Sequence, residues 1–256
     1  MKYLYKFRSM AKDSIRYTER AITEQELYFS NARAFNDPFD CLPVISTEAT
    51  TEEFKRYLGD MFERRHPYLS RKSVENKITE ISKDSTRNHE SAALLNNLIT
   101  AFDGSMSIAG VLSLAKKPDN VLMWSHYADC HQGICLKFKV CEKSGFFTET
   151  HDVIYRKERP TFNIITDNIE ESGKKALLTK AKFWAYENEV RMVSSKRPPG
   201  VYNYPVHLIE GVILGAKISL ENRELVKQWI AQVESEIHLY EAVINSKSFG
   251  LDIVKI

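Results

Sequence analysis

The chain has 256 residues, 43% of them hydrophobic and 27% charged, and its 36 basic and 34 acidic side chains leave a net charge of +2. That length can enclose a substantial core, and so small a net charge gives no bulk attraction for polyanions, so any nucleic acid would need a local basic patch. No run of about 18 apolar residues offers a membrane-spanning helix, and the charged opening Met1-Lys2-Tyr3-Leu4-Tyr5-Lys6-Phe7-Arg8 lacks the apolar stretch of a secretory leader. The expectation is a cytoplasmic protein with reduced cysteines and no membrane partner.

In chain order, Tyr3 to Phe7 alternates as a short strand does. Residues 11–22 form an amphipathic helix with Ile15 and Ile22 inward, and Glu26 to Ser30 forms a second strand. Phe35-Asn36-Asp37-Pro38-Phe39-Asp40 comes after it. Asn36 or Asp37 can cap a turn or helix, and Pro38 suits a first helical position. Phe35 and Phe39 are expected to anchor this loop in the core, which would make it a rigid binding loop. Three helices come next: from Thr51, with Phe54, Tyr57, Leu58, Met61 and Phe62 on its apolar face; from about Ser73 to Lys83; and from about His89 to Phe102, with Ala92, Leu95, Leu98 and Ile99 buried and Asp103-Gly104 as its stop.

Met106 to Ala115 reads as a strand. After a turn, the run Trp124-Ser125-His126-Tyr127-Ala128 reads as a short helix ended by Gly133, with Met123, His126 and Tyr127 on one side and Trp124 beside them. Ile134 to Val140 is a strand. His126, Cys130, His131 and Cys135 have ligand chemistry but not the spacing of a tetrahedral zinc site, so no metal is expected. A strand at Val153 to Tyr155, a helix from Asn168 to Phe183, a basic loop at residues 194–200, a strand at Val206 to Leu214, a helix at Leu220 to Val233 and two final strands complete the chain. Interleaved strands and helices predict a single α+β domain, a mixed or antiparallel central sheet with a helical insert at about 51–102.

The most informative stretch is Lys182-Phe183-Trp184-Ala185-Tyr186-Glu187-Asn188-Glu189-Val190-Arg191-Met192. On a strand, alternate residues share a face, so Glu187, Glu189 and Arg191 are expected in one row. Paired carboxylates repel unless something separates or uses them. Arg191 can neutralise one and Lys182 can reach the other. The alternative to an ion-pair ladder is a site in which one carboxylate stabilises positive charge and the other handles a proton.

Three segments together carry a resemblance: Phe35-Asn36-Asp37-Pro38-Phe39-Asp40; Met123-Trp124-Ser125-His126-Tyr127-Ala128 with His131 and Gly133; and Lys182-x-Trp184-x-x-Glu187-x-Glu189-x-Arg191. In this order they resemble a widespread bacterial family of unknown function whose members are often found near phage-defence genes. A more distant resemblance is to toxin-type ADP-ribosyltransferases, which carry an early strand Arg, a central Ser-Thr-Ser strand and a late Glu-x-Glu. Here Arg8, Ser113-Leu114-Ala115 and Glu187-Asn188-Glu189 stand in those places, and the serine motif departs from the pattern after its first residue. That resemblance implies an ADP-ribosyltransferase-like core and NAD as substrate, with a protein or nucleic-acid acceptor, or water in an NAD glycohydrolase. It implies that Glu189 holds the ribose hydroxyl and the developing cation, that Glu187 orients or deprotonates the acceptor, and that Arg8 pairs with the pyrophosphate. Tyr127 or Tyr28 would stack on nicotinamide, and His126 would hydrogen-bond the adenosine ribose.

Two other readings fit the same residues. In a non-enzymatic sensor, the Asn36-Asp37 loop and the Trp124-Ser125-His126-Tyr127 helix would bind a ligand or partner, while Glu187, Glu189 and Arg191 only pair. In a nuclease, Asp37, Asp40, Glu187 and Glu189 would surround Mg²⁺. The shared-site reading requires His126, Tyr127 and Glu189 to line one pocket.

Overall fold

The computed structural model describes residues 2–83, 89–140, 145–194 and 196–256. In chain order the elements are β1 (Lys2–Arg8), α1 (Ile15–Thr23), β2 (Glu26–Asn31), β3 (Val44–Ser46), α2 (Thr51–Arg65), α3 (Arg71–Lys83), α4 (His89–Ile108), β4 (Gly110–Ala115), α5 (Val121–Tyr127), β5 (Ile134–Val140), β6 (Thr150–Asp152), β7 (Ile154–Arg156), β8 (Thr161–Asn163), α6 (Ile169–Leu177), β9 (Thr179–Ala181), β10 (Glu189–Ser194), β11 (Gly200–Asn203), β12 (Ile209–Leu214), α7 (Leu220–Ala231), β13 (His238–Ile244) and β14 (Leu251–Lys255). The fold is α+β, built on a large, mostly antiparallel open sheet.

The sheet runs β11-β2-β4-β1-β5-β12-β13-β14, with β10 and β6 continuing from β4 on its other side. The exception to antiparallel pairing along it is β12–β13, which α7 connects. One face buries Leu4, Leu27, Phe29, Leu112, Leu136, Phe138 and Val212 together with Ile22 of α1 and Val226 and Trp229 of α7. The opposite face buries Phe7, Ala115, Cys135 and Ile213 under Trp124 and Met123 of α5. Alternation therefore sorts β1, β5 and β12 into two apolar faces, as expected of a sheet covered on both sides. A third cluster packs Phe102 and Met106 of α4 and Leu177 of α6 on Phe162 and Val111.

β4 is the strand along which β10, carrying Glu189 and Arg191, is laid. Its whole length pairs with β10, from Glu189 opposite Ala115 to Ser194 opposite Gly110. Its other edge is shared. β2 takes the start, with Ser30 opposite Val111 and Asn31 opposite Gly110, and β1 takes the end, with Tyr5 opposite Ala115. Between them the ladder opens. The Ser113 carbonyl accepts instead from Lys6 Nζ at 2.8 Å, which satisfies a group that a continuous sheet would have paired.

Several boundaries differ from the sequence reading. α4 runs through Asp103-Gly104 to Ile108, so the strand after it begins at Gly110; packing of Phe102 and Met106 against the third cluster outweighs one helix-breaking glycine. Ala92, Leu95 and Leu98 lie outside the residues whose side chains are described, as does Ser195 of the basic loop. α5 ends at Tyr127, well before Gly133, because Asp129, Cys130 and His131 are all left-handed (φ 50°, 50° and 71°). Gly215 passes so close to this run that a Cβ there would lie 2.2 Å from the His131 carbonyl oxygen. The helix expected to Phe183 stops at Leu177, and β9 and a 3₁₀ turn over Lys182–Glu187 replace its second half.

The Asn-Asp-Pro segment is a turn with no helix behind it. Phe35 is half-buried, but Phe39 is 62% exposed and does not anchor the loop. The turn is instead held by Asp37, whose Oδ1 accepts from the Phe39 amide at 2.9 Å and whose Oδ2 accepts from Trp184 Nε1 at 2.8 Å. Phe39→Ala should therefore change stability by no more than about 0.5 kcal/mol, the usual range for a surface substitution, where a buried phenylalanine would cost about 3–5 kcal/mol. A urea melt of the variant reads the difference.

Candidate active site

Where β1 and β2 part from the edge of β4, a cavity of about 200 Å³ opens, lined among others by Lys6, Ser113, Tyr127, Lys180, Glu187 and Glu189. Each side chain arrives by a local sequence feature. Asn188 adopts the left-handed conformation (φ 45°, ψ 47°), which asparagine tolerates better than most residues. That kink ends the 3₁₀ turn and starts β10. Glu187 is thus not on the strand, and its carboxylate reaches the cavity from the turn while Glu189 reaches it from β10. Asn120 caps α5 by accepting from the amides of Leu122 and Met123, and its Nδ2 donates to the Tyr186 carbonyl at 2.7 Å. This ties α5 to the turn and sets Tyr127 over Glu187.

The charges form one buried cluster. Lys180 Nζ lies 2.5 Å from Glu187 Oε2, 3.4 Å from Glu189 Oε2 and 3.6 Å from Asp40 Oδ2. Arg191, fully buried, donates to both oxygens of Glu189 (2.7 and 3.1 Å), to both oxygens of Asp40 (2.9 and 2.7 Å) and to the Leu177 carbonyl (2.8 Å). Tyr127 donates to Glu187 Oε1 at 2.6 Å, and the Glu189 amide donates to the Tyr155 hydroxyl at 2.9 Å. Two two-pronged guanidinium contacts fix carboxylate planes as well as charge.

The two glutamates are driven apart in acidity. Burial raises the carboxyl of Glu189, but the Arg191 guanidinium, Lys180 and the Ser113 hydroxyl outweigh it and hold the group at about 2. Burial dominates at Glu187 and leaves its pKa above the ordinary value, against the pull of Lys180 and Tyr127. Burial, helped by Arg8 and opposed by Glu189, lowers Lys6 to about 8. Neighbouring carboxylates with divergent acidities are what separate acid–base and electrostatic roles within one site.

The structure brings together Glu187, Glu189, Tyr127, Asn36, Ser113 and Arg191 of the sequence-derived site, and it separates the others. Arg8 lies in an adjoining cavity, its guanidinium donating to the Tyr17 carbonyl at 2.7 Å while its Nε is buried with no partner. Trp124 is core: it stacks edge-on against Phe7 and donates to the Pro118 carbonyl at 2.6 Å. His126 is exposed outside the cavity and shares a 3.0 Å hydrogen bond with the Tyr186 hydroxyl, so His126, Tyr127 and Glu189 do not line one pocket. Both oxygens of Asp37 are taken up by the Phe39 amide and Trp184. Lys182 is exposed, and Lys180 does what was expected of it. Sequence reasoning missed Lys180, Lys6 and Tyr155, and placed Asp40 only in the nuclease reading.

That nuclease reading meets a physical obstacle. The ammonium of Lys180 stands among Asp40, Glu187 and Glu189, where a divalent cation would have to sit, and its charge would repel one. Among the described residues no group of three His, Cys, Asp or Glu side chains is arranged to hold a metal ion. Nor is any described helix long and apolar enough to cross a membrane.

Residues 123–192 match a family described as a protein of unknown function (DUF2971). The matched segment runs from α5 to β10, so it holds Tyr127, Lys180, Glu187, Glu189 and Arg191 but not Lys6, Asp40 or Ser113. No curated protein and no solved structure matches the chain.

Proposed function

We propose that the chain cleaves the nicotinamide–ribose bond of NAD, passing ADP-ribose to an acceptor or to water. The observation that carries this reading is a pair of adjoining cavities meeting at a cationic waist. The carboxylate cavity shares Lys6, Phe7 and Tyr127 with a second cavity of about 650 Å³, whose walls include Arg8, Tyr17 and Tyr28. A dinucleotide has that shape: two ring systems joined by a doubly anionic link. The nicotinamide riboside half would enter the first cavity and adenosine the second, with the pyrophosphate between Lys6 and Arg8.

Loss of nicotinamide leaves an oxocarbenium-like ribose, as glycoside cleavage does. Glu189, ionised and held by Arg191, would stabilise that cation without reorganising. Glu187, which gains a proton more readily, would take one from the acceptor hydroxyl or water. Tyr127, bound to Glu187, would present its ring to nicotinamide. The assignment of the early cation moves from Arg8 alone to Lys6 and Arg8 together. Association with phage defence or toxin systems rests on the sequence resemblance alone and belongs to the same proposal.

The neutralisation of both glutamates by Lys180 and Arg191 also suits a protein that binds such a ligand without turning it over. Incubation of purified protein with NAD, with chromatography for nicotinamide, separates the two. Release above the uncatalysed background is expected. NAD binding by calorimetry with no release would favour the sensor, and neither binding nor release would end the NAD reading.

A further inference from the structure

Lys180 also borders a third and much smaller depression, of about 30 Å³. Phe39, Arg156, Lys157 and Arg159 line it, and Glu158 adds an acid to its wall. Arg156 pairs with Ala181 along β7–β9, Ala181 itself lines the depression, and Lys182 and Phe183 are the next two residues of the chain. The Trp184–Asp37 hydrogen bond joins the turn bearing Phe183 to the loop bearing Phe39. Phe183 is 88% exposed and Phe39 62% exposed. Arg156, Lys157, Arg159 and Lys182 are exposed as well, and none of them is in an ion pair among the described residues.

Two exposed phenyl rings thus stand on a surface that carries four cations without ion-pair partners among the described residues. The combination of ring faces and backbone-tracking cations is what unpaired nucleobases and their phosphates require. An acidic peptide would satisfy the cations but can stack on the rings only where it happens to carry an aromatic side chain, whereas every unpaired base presents a π-face; a duplex hides its base faces. The chain's overall charge of +2 means that this attraction is local and not a property of the whole surface. We propose that this surface, formed by Phe39, Phe183, Arg156, Lys157, Arg159 and Lys182, docks single-stranded nucleic acid. Such docking does not depend on NAD chemistry.

The test is fluorescence anisotropy with a labelled oligothymidylate of about 20 nucleotides, without NAD, across a salt series. Binding is expected, with a log–log salt slope near about −2 if about three phosphates are neutralised. Phe39→Ala and Phe183→Ala should each weaken it on the order of ten-fold through lost stacking, and Arg156→Glu/Arg159→Glu should abolish it, all with unchanged thermal melts. Absence of binding at low salt would overturn the proposal. So would binding that ignores both phenylalanine substitutions, or equal competition by polyglutamate, which would point to an acidic protein instead. Nicotinamide release by the same variants would leave these outcomes untouched, since none of the six residues lines the carboxylate cavity.

Discussion

Glu189→Gln is expected to lower nicotinamide release from NAD by at least about 100-fold, the scale seen when one preorganised electrostatic group is removed from a transition state. The substitution keeps the shape and removes the charge. In the folded protein that charge is secure: with its carboxyl held at about 2, Glu189 is ionised throughout the neutral range. Arg191 would keep its two-pronged contact with Asp40, and Lys180 would keep Glu187 at 2.5 Å, so both cations retain a partner. The variant should therefore fold, and circular dichroism melts will show whether it does. A folded Glu189→Gln protein with wild-type release would remove Glu189 from the chemistry.

Arg191→Met should cost about 3–5 kcal/mol, the scale expected when one partner of a buried ion cluster is removed. The methionine fills much of the volume, but it leaves Asp40 and Glu189 to share Lys180 with Glu187 in the interior and leaves the Leu177 carbonyl without this donor. Urea denaturation measures the loss. If the single variant does not fold, Arg191→Met combined with Asp40→Asn provides the control: removing one buried charge should restore part of the stability, because the penalty comes from three carboxylates left to one ammonium and not from the missing bond. A loss below about 1 kcal/mol would mean that water reaches the cluster and screens it.

Much of the site can be read from residue types and spacing. Glu189 and Arg191 follow from residue type and strand spacing, while Ser113 and the stacking role of Tyr127 come from the resemblance to ADP-ribosyltransferases; the structure brings all four to one cavity. Strand alternation correctly puts Glu189 and Arg191 on one side of β10, opposite Val190 and Met192 of the core. What alternation cannot supply is the partner across the fold. Lys180 is hidden because residues 168–183 look uniformly helical, whereas the chain breaks at Leu178 to lay down β9. By residue type Arg8 is a better anion binder than Lys6, yet the opening between β1 and β2 turns Lys6 inward. Phe39 belongs in the core by its chemistry, and Asp37 does the anchoring that the phenylalanine was expected to do.

The shared edge of β4 also sets the order in which this protein can become functional. The cavity walls come from residues 5–7, 30–40, 113–127 and 180–191, so no short segment contains even half a site. β1 must wait for β5, and β4 for β10, each a distant stretch of chain away. Contacts so distant in sequence close slowly, on the millisecond-to-second scale of sheet-rich domains. On a translating ribosome, Glu187 and Glu189 do not meet Lys6 until β10 has emerged and paired. If the chain consumes NAD as proposed, it would thus stay silent until β10 has paired, and its activity would appear together with the closing of the sheet.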